Sequence, residues 1–374
     1  MAENKDKKVL NVPALRFPKF SGEWKREILN DVCTFHNGRA YKQNELLSDG
    51  KYRVLRVGNF FTNDSWYYSD LELDDEKVAV NGDLLYAWSA SFGPRFWTGE
   101  KVIYHYHIWK IDSFQQVSKE FLFYFLERDT EKIKNEVQGG TMVHITKGDM
   151  EKREILYPSI LEQSKIARLL SLLDERIATQ NKIIEDLKKL KSAIRKKIFS
   201  LLKDEYTKSF EINQLLDYEQ PTAYIVANDE YSTDTRLTPV LTANKGFILG
   251  YTDEKNGIYQ KGACIIFDDF TMDAKYVSFP FKVKSSAIKI LTAKPNVNLR
   301  FMFEYLSHWE LKSEEHKRHY ISEISPLVIE LPSKEKQNII ALLMTSLNNK
   351  LTIEEKAKIR YEVQKGYLLS QMFI

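Results

Sequence analysis

The sequence predicts an α+β fold, in which two pseudo-repeated mixed α/β domains are separated by two long antiparallel coiled-coil helices. The first observation is a repeat, because segment 158–199 matches segment 332–373 without a gap. The second is that both segments space their apolar residues alternately three and four positions apart, as coiled-coil helices do. The third is that strand-like segments precede each helix in the same order. Self-similarity at a fixed offset indicates duplicated units, so we expect two copies of one module.

These patterns divide the chain into five parts. They are an N-terminal arm at 1–24, a first domain at 25–157, a central helix at 158–205, a second domain at 206–331 and a distal helix at 332–374. Each domain is long enough to bury a core of its own.

The first domain is predicted to be rich in strands. Residues 51–57 alternate polar and apolar side chains, as a half-buried strand does. Residues 81–83 are a turn signal before the apolar strand 84–88. The run 103–111 is β-branched and aromatic, as strands are, and 119–134 has the spacing of a short amphipathic helix.

The central helix is predicted to begin after Pro158, with Ser159 or Ser164 capping its first turn. A helix of about 40 residues is about 60 Å long, which exceeds the size of a domain of ~130 residues. We therefore expect the two helices to pair with each other. Antiparallel pairing, which places each domain at its own end of the pair, is favoured over parallel pairing. Packing of each helix on its own domain is the alternative.

The residues predicted to pair the helices share the heptad seam. They are Ile166, Leu170, Leu173, Ile177, Ile184, Leu187, Ile194, Ile198, Ile340, Met344, Leu347, Leu351, Tyr361, Leu368 and Met372. Polar residues interrupt both seams at matching places, Gln180 and Lys191 in one and Glu354 and Lys365 in the other. Polar seam positions weaken a coiled coil but can fix its register and orientation.

The second domain repeats the order of the first. Residues 238–242, 264–267 and 276–283 are predicted strands, and 298–308 is a predicted helix.

Composition and charge describe a globular chain of 374 residues with a net charge of +3. Its 43% apolar and 13% aromatic content is typical of proteins with packed cores. Its apolar runs are shorter than the ~20 residues of a membrane span, and its charged start is unlike a secretory signal. Cys33 and Cys264 are the two cysteines, which argues against a disulfide framework and for a reducing, cytoplasmic compartment.

Positive charge is concentrated in two segments. Residues 182–203 hold seven lysines and one arginine against two acids, and residues 275–289 hold four lysines and no acid. The four lysines are Lys275, Lys282, Lys284 and Lys289. Strips of this kind suit polyanions. A solvated helix face and a lysine-bearing strand edge are the alternative interpretation.

Polar, cationic and aromatic side chains cluster in the predicted loops of both domains. Arg, Lys, Asn and Gln read base edges in the major groove of DNA, and Tyr, Ser and Thr bind phosphates. The predicted DNA contacts are Arg56, Asn59, Ser89, Ser91, Arg95, Trp97, Tyr218, Gln220, Thr222, Tyr224, Arg236, Asn244, Lys245 and Lys275. For any single aromatic residue, burial in the core is the competing interpretation.

No catalytic residue is predicted. The sequence contains neither a G-x-G dinucleotide fingerprint nor a G-K-[ST] phosphate loop. A nuclease-like group of three acids and a lysine has the wrong spacing, and a turn after a strand explains it better. Its members are Asp268, Asp269, Asp273 and Lys275.

No metal site is predicted either. The histidine pairs His105/His107 and His316/His319 lack further ligands at zinc spacing.

Several strings, taken in order, resemble one protein family. The strings 12–20 and 29–33 are similar to the entry into its first recognition domain, and 157–167 to its central helix. The strings 218–226 and 265–270 are similar to one type of second recognition domain. In these features the chain resembles the specificity subunits of type I restriction-modification systems. The departure is the distal helix, which is more polar between 354 and 365 than the central helix.

The resemblance implies a non-catalytic protein that binds double-stranded DNA. Each of two target-recognition domains would read one half of a bipartite target. The paired helices would set the spacing between the halves and dock two methyltransferase subunits, and motor–nuclease subunits would join them. S-adenosylmethionine, ATP and magnesium are implied for those partner subunits and no cofactor for this chain. Two alternatives stay open, a scaffold that spaces two protein partners without DNA and a self-contained DNA nuclease.

Overall fold

The computed structural model describes residues 11–61, 63–89, 92–136, 145–202, 207–242, 246–309 and 318–374. The described residues up to Gln180 form one unit with Ala357–Ile374, and Asn181–Lys356 form the second unit. None of the helices in these ranges combines the length and the apolar character that a membrane crossing requires.

The strands of the first unit come in the chain order β1 (Lys25–Ile28), β2 (Thr34–Asn37), β3 (Tyr52–Leu55), β4 (Tyr67–Ser69), β5 (Val78–Ala79), β6 (Leu84–Ala87), β7 (Gly93–Phe96), β8 (Val102–Tyr104), β9 (Ile108–Asp112) and β10 (Glu154–Tyr157). Its helices are α1 (Leu29–Val32), α2 (Val57–Phe61), α3 (Lys119–Glu136), α4 (Lys147–Glu151) and the first part of the long helix α5 (Ile160–Leu202). Two 3₁₀ turns, Gln43–Glu45 and Asp75–Lys77, complete it.

Three sheets form in the described part of the first unit. One has the order β2-β9-β6-β7 and is antiparallel throughout. The second has the order β4-β3-β8-β5, in which β3 and β8 run parallel. The third joins β1 to β10, so the chain enters and leaves the globular part of the unit side by side.

The strands of the second unit are β11 (Lys208–Glu211), β12 (Leu216–Glu219), β13 (Thr238–Leu241), β14 (Ile248–Thr252), β15 (Cys264–Asp268), β16 (Ala274–Val277), β17 (Lys282–Val283), β18 (Ile288–Ala293) and β19 (Val328–Leu331). Its helices are α6 (Ile212–Leu215), α7 (Leu299–His308) and the first part of the long helix α8 (Lys334–Met372). A 3₁₀ turn at Pro221–Tyr224 and a π-helical turn at Tyr320–Ile324 lie beside them.

The second unit repeats the topology of the first. Its four-stranded sheet has the order β12-β18-β15-β16, and β11 pairs with β19 as β1 pairs with β10. In the three-stranded sheet β14-β13-β17, β13 and β17 run parallel, as β3 and β8 do in the first unit. The counterpart of β5 is reduced to a single bridge between Tyr259 and Phe281. The duplication predicted from the helices therefore extends through both globular parts.

Glycine marks the same turn in both units. Gly82 precedes β6 with a φ of 90°, and Gly262 precedes β15 with a φ of 98°. A residue with a Cβ atom is strained in this region, whereas glycine adopts it freely. The turn predicted at 81–83 is thus confirmed, and its counterpart also has a glycine at positive φ.

Two predicted continuous strands are each interrupted. The run 103–111 forms β8 and β9 in different sheets, with a turn at 105–107 between them. The run 276–283 likewise forms β16 and β17 in different sheets, and Pro280 lies in the break. A period-two pattern cannot reveal a change of sheet, because the side chains stay apolar on both sides of the turn.

The two long helices run antiparallel within each unit. In the first unit, Ile166 and Leu170 at the start of α5 share a core with Leu369 and Met372 at the end of α8. In the second unit, the end of α5 and the start of α8 share a core, with Ile198 packed against the cluster that contains Met344. Both predicted properties, the great length of the helices and their antiparallel pairing, are confirmed.

Candidate nucleic-acid interface

A buried glutamine joins the start of each long helix to its globular part. The Gln163 amide donates to the Gln116 and Pro158 carbonyls, at 2.8 and 2.9 Å, and accepts from the Ser118 N–H at 2.8 Å. Gln337 donates to the Pro332 carbonyl and accepts from the Asn298 N–H, both at 2.9 Å. Ser118 and Asn298 directly precede α3 and α7. The segments that precede α3 and α7 are therefore each fixed to the start of a long helix in the same way.

A polar cluster in the first unit lies between α3, α5 and α8. Lys365 Nζ is 2.7 Å from both Glu127 Oε1 and Asp174 Oδ1. The Tyr124 hydroxyl donates to Asp174 Oδ2 at 2.8 Å. Burial raises the pKa of Glu127 despite the nearby lysine. The predicted polar interruption of the seam at Lys365 is thus an ion-paired contact with the globular part.

The second unit has a corresponding polar cluster, in which the carboxylate lies on the globular helix. The carboxylate here belongs to Glu304 of α7, which is fully buried. It accepts from Asn348 at 3.2 Å and from Arg195 at 2.7 Å. Burial lowers the pKa of the adjacent Lys191. In both units, the globular part is fixed by hydrogen bonds to both long helices.

Every residue predicted to pair the helices is buried or half-buried. The most enclosed in the first unit are Ile166 and Leu170, and in the second Met344 and Ile340. The exposed apolar residues of α8 lie on another face, and Ile339, Leu342 and Val363 are each more than 60% exposed.

Two predicted DNA contacts of the first unit lie after β3, Arg56 just before α2 and Asn59 within it. The Arg56 guanidinium stacks on the Tyr67 ring at 4.2 Å and its Nη2 donates to the Ser65 carbonyl at 3.3 Å. Asn59 accepts from Arg56 at 3.3 Å and donates to the carbonyls of Asn63 and Ser65. The amide of Asn59 is thus occupied by hydrogen bonds to the segment that follows α2, whereas Arg56 is half-exposed.

The other predicted contacts of the first unit lie farther along the chain, on β7 or in the segments that follow β6 and β7. Arg95 on β7 is exposed, with its guanidinium 4.5 Å from the Phe61 ring. Trp97 donates to the Glu100 carbonyl and packs edge-on against Trp66. Ser89 is buried. Ser91 lies outside the described residues.

Tyr218 and Gln220 of the second unit are both exposed and lie together at the end of β12. The Gln220 Oε1 atom is 3.1 Å from Lys289 Nζ, which also lies 6.0 Å from the Tyr218 ring. Lys289 is 1% exposed and pairs with Asp269 at 3.2 Å. Here the structure brings two predicted contacts together around a buried ion pair.

The remaining predicted contacts of the second unit are scattered. Tyr224 is buried and donates to Glu219 at 2.7 Å, whereas Thr222 is exposed. The Arg236 side chain is 87% exposed and binds Asp234 through two nitrogens. Lys275 is half-buried on β16. Asn244 and Lys245 lie outside the described residues.

The positive strip predicted at 275–289 is only partly a surface feature. Lys282 is 3% exposed and pairs with Glu254 at 2.8 Å. Lys289 pairs with Asp269, so two of the four lysines are neutralised inside the unit. Their acidic partners lie 28 and 20 residues away in sequence, so the local charge pattern could not reveal them.

A turn that contains two histidines connects two sheets of the first unit. His105, Tyr106 and His107 join β8 to β9, and Tyr106 is 39% exposed. Burial, the nearby His107 and Arg56 lower the pKa of His105 to about 4. The imidazole is therefore neutral at pH 7, with one donor and one acceptor nitrogen.

The acids considered for nuclease chemistry have structural partners. Asp268 accepts from the backbone N–H groups of Phe270 and Thr271, and Asp269 pairs with Lys289. Across the described ranges, no three or more His, Cys, Asp or Glu side chains are grouped as metal ligands would be. His316 lies outside those ranges.

Comparison with known proteins identifies the family. Residues 21–189 and 204–363 each match the type I restriction modification DNA specificity domain. The Escherichia coli EcoR124I/EcoR124II specificity subunit is 39% identical over 178 residues, which are 42% of this chain and 43% of that subunit. The Methanocaldococcus jannaschii MjaVIII specificity subunit is 27% identical over 200 residues, 52% of this chain and 46% of the relative. The chain thus spans about half the length of these curated relatives.

A solved structure shares the fold. The crystal structure of the type I restriction-modification S subunit from M. genitalium superposes with a TM-score of 0.64 at 16% identity, covering 97% of this chain and 99% of that one. Since the family match takes in both globular parts and most of both long helices, the chain belongs to the family of type I restriction-modification DNA specificity subunits.

Proposed function

We propose that this chain is the DNA specificity subunit of a type I restriction-modification complex, in which each globular domain reads one half of a bipartite target. The observation that carries the proposal is that the same structural framework occurs in both units. Both units have the same strand order, the same glycine turn and the same glutamine contact, and each matches the family domain. A duplicated framework with different loops suits two different sequences on one duplex.

We propose the boundaries 25–157 and 206–331 for the two recognition domains, with 1–24 as an N-terminal arm. The long helices, at 158–205 and 332–374, would act as the spacer between the two blocks of DNA. Their pairing and their polar contacts to α3 and α7 support this role, because a spacer must hold each domain rigidly. Blocks on one duplex keep a set phase, since groove positions repeat every ~10–10.5 base pairs.

The chain would act in the cytoplasm with methyltransferase and motor–nuclease subunits. S-adenosylmethionine, ATP and magnesium would be held by those subunits, and this chain would determine only where they act. The apolar side chains exposed on α8, such as Ile339 and Leu342, support docking of a protein partner. Burial raises the pKa of the Cys33 and Cys264 thiols to about 12, so both are structural and little reactive.

Mapping of methylated adenines tests the proposal. A host without this chain is compared with the same host carrying the chain and its methyltransferase subunits. We expect a new methylated sequence made of two blocks and a fixed gap. Absence of new methylation, together with no duplex retained by the assembled complex, would favour a scaffold that binds proteins only. DNA cleavage by the purified chain alone would favour the nuclease alternative.

A matched insertion tests the spacer. Seven residues are inserted after Asp186 in α5 and seven after Lys356 in α8, which lies opposite because Lys188 pairs with Glu355. Each insertion adds about 10 Å of helix, the length of about three base pairs. We expect a longer gap with both blocks unchanged. Altered base preference within a block would contradict the spacer role.

A further inference from the structure

We propose that Gln220 reads one base in the DNA block recognised by the second unit, and that the buried Lys289–Asp269 pair is a positioning device that decides which end of its amide faces the base. The inference rests on the proposed function, since it names a specificity-determining residue within it. It concerns the described residues of the second unit alone.

The ion pair is locked from several sides. Lys289 Nζ lies 3.2 Å from Asp269 Oδ2, and both residues are 1% exposed. The other carboxylate oxygen of Asp269 accepts from the Tyr320 N–H at 2.8 Å. The Asp269 backbone N–H donates to the Ala287 carbonyl, and its carbonyl accepts from His319. The position of Lys289 Nζ is therefore determined by the fold.

This lysine sets the orientation of the neighbouring amide. Gln220 Oε1 is 3.1 Å from Lys289 Nζ, and Gln220 itself is exposed at the end of β12. An ammonium group has donors and no acceptor, so only the oxygen of the amide can face it. The Gln220 NH₂ group is consequently directed away from the buried pair, as a donor available to a ligand.

The first unit shows that the fold does not require a lysine here. Lys289 on β18 lies opposite Phe267, and in the first unit Trp109 on β9 lies opposite Tyr86 at the corresponding place. Trp109 is 1% exposed and stacks on Tyr86 at 5.8 Å. An aromatic residue thus fills in one unit the position that an ion pair fills in the other.

Stability does not explain the replacement. Removing two charges from water costs free energy that their attraction repays only with excellent geometry, and apolar substitutes are often as stable or more stable. A stack like that of Trp109 would be the simpler solution for a core. Besides the contact of Asp269 with the Tyr320 N–H, the pair adds the fixed amide of Gln220 at the end of β12.

The outward NH₂ group restricts the base that it can read. In the major groove, purine N7, guanine O6 and thymine O4 are acceptors, whereas cytosine presents a donor. Gln220 therefore fits a position occupied by adenine, guanine or thymine and disfavours cytosine. A single hydrogen bond of this type gives about a two- to tenfold discrimination between bases.

Four variants of the full chain, assembled with its methyltransferase subunits, test the inference. Gln220→Ala should lower discrimination at one position of one block by about two- to tenfold. Gln220→Glu keeps the contact with Lys289 but directs an acceptor outward, so cytosine should become preferred there. Lys289→Met combined with Asp269→Asn removes both charges and should weaken discrimination at the same position. Lys282→Met combined with Glu254→Gln removes another ion pair of the same unit, formed by a buried lysine and a half-buried glutamate, and should leave the target unchanged.

The readouts are the methylated sequence in host DNA and binding to duplexes that carry each base at that position. Thermal unfolding reports whether each variant is folded. If the Lys289 double variant does not fold, the exposed Gln220 variants decide alone. A folded Gln220→Ala or Lys289 double variant with wild-type discrimination at every position overturns the inference. Failure of the wild type to direct any methylation instead overturns the proposed function and this inference with it.

Discussion

Single side chains hold the duplicated framework together by repeating the same contacts. Gln163 and Gln337 occupy equivalent places and are both fully or almost fully buried. Phe373 packs on Phe121 of α3 at 5.1 Å, and Phe199 packs on Phe301 of α7 at 5.7 Å. A buried glutamine is stable only when its donors and acceptor are all used, so these contacts are specific as well as stabilising.

Replacement of either glutamine by leucine should destabilise the protein to a similar extent. Gln163→Leu leaves the Ser118 N–H and the Gln116 and Pro158 carbonyls without their partner. Each unsatisfied buried group costs about 1–3 kcal/mol, and partial rehydration reduces the sum, so we expect a loss of about 2–4 kcal/mol. Denaturant unfolding measures it. Asn181→Leu, an exposed position on the same helix, is the control and should change stability by less than about 0.5 kcal/mol.

The low pKa of His105 predicts a pH effect on stability. The folded-state pKa is about 4, below the ordinary value of about 6.5, so the unfolded chain takes up the proton first as pH falls. The stabilisation from the neutral imidazole is complete above about pH 6.5 and is lost as pH falls towards 4. We expect a smaller drop in melting temperature between pH 7 and pH 5 for His105→Gln than for the wild type. Equal drops would contradict this environment for the imidazole.

At the scale of the element, the long helices make both apolar and polar contacts. Their seams bury apolar residues in each unit, and a polar cluster then connects them to α3 or α7. In the first unit, Asp174 of α5 accepts a hydrogen bond from Tyr124 of α3. In the second unit, Glu304 of α7 accepts one from Asn348 of α8. Asn348 takes the place of Asp174 and Glu304 that of Tyr124, so the second cluster has one carboxylate where the first has two. The carboxylates of both clusters face cations, so the duplicated sequences differ without leaving a buried carboxylate unpaired.

Two lysines of the helix pair should differ widely in their contribution to stability. Lys365→Met leaves Glu127 and Asp174 unpaired, and the Lys365 side chain is only 12% exposed. Breaking a buried pair costs about 3–5 kcal/mol; both acids keep some solvent contact here, so we expect about 2–3 kcal/mol. Lys188→Met breaks an exposed pair with Glu355, in which the lysine side chain is 58% exposed, and should cost less than about 1 kcal/mol. Equal losses in denaturant unfolding would contradict the assignment.

At the scale of the whole molecule, the proposed function depends on independent cores in the two units. The first unit has a core around Trp24, Phe121 and Phe373, and the second has one around Phe199 and Phe301. Each unit also closes its own entry and exit strands, β1 with β10 and β11 with β19. A domain built in this way can be exchanged without unfolding the other.

Replacement of residues 25–157 by the corresponding domain of a relative should change one block of the DNA target and leave the other block and the gap unchanged. The reason is that the sheets of the second unit are formed by its own strands. Sequencing of methylated host DNA measures both blocks together. The exchange of residues 206–331 is the reciprocal control and should alter only the other block. A single exchange that changed both blocks would show that the two readings are coupled.

The amino-acid sequence by itself determined the repeat, the two long helices and their seam. A heptad pattern is local and periodic, so thirty or more residues all support the prediction of one long helix. The duplication was identified separately, from matches at a fixed offset such as that of Gln163 and Gln337. The order of strands followed from turn signals such as Gly82. For the same reason the family resemblance could be recognised before the structure was known.

Only the tertiary structure decided which polar side chains are available to a ligand. Lys289 and Lys282 were predicted to be surface charges, yet both are buried against acids that are distant in sequence. The amide of Asn59 is occupied by hydrogen bonds to the segment that follows α2. The break at 105–107 was hidden because apolar character continues across it. Burial and pairing depend on strands brought together from far apart in the chain, and a local pattern carries no information about which strands will meet.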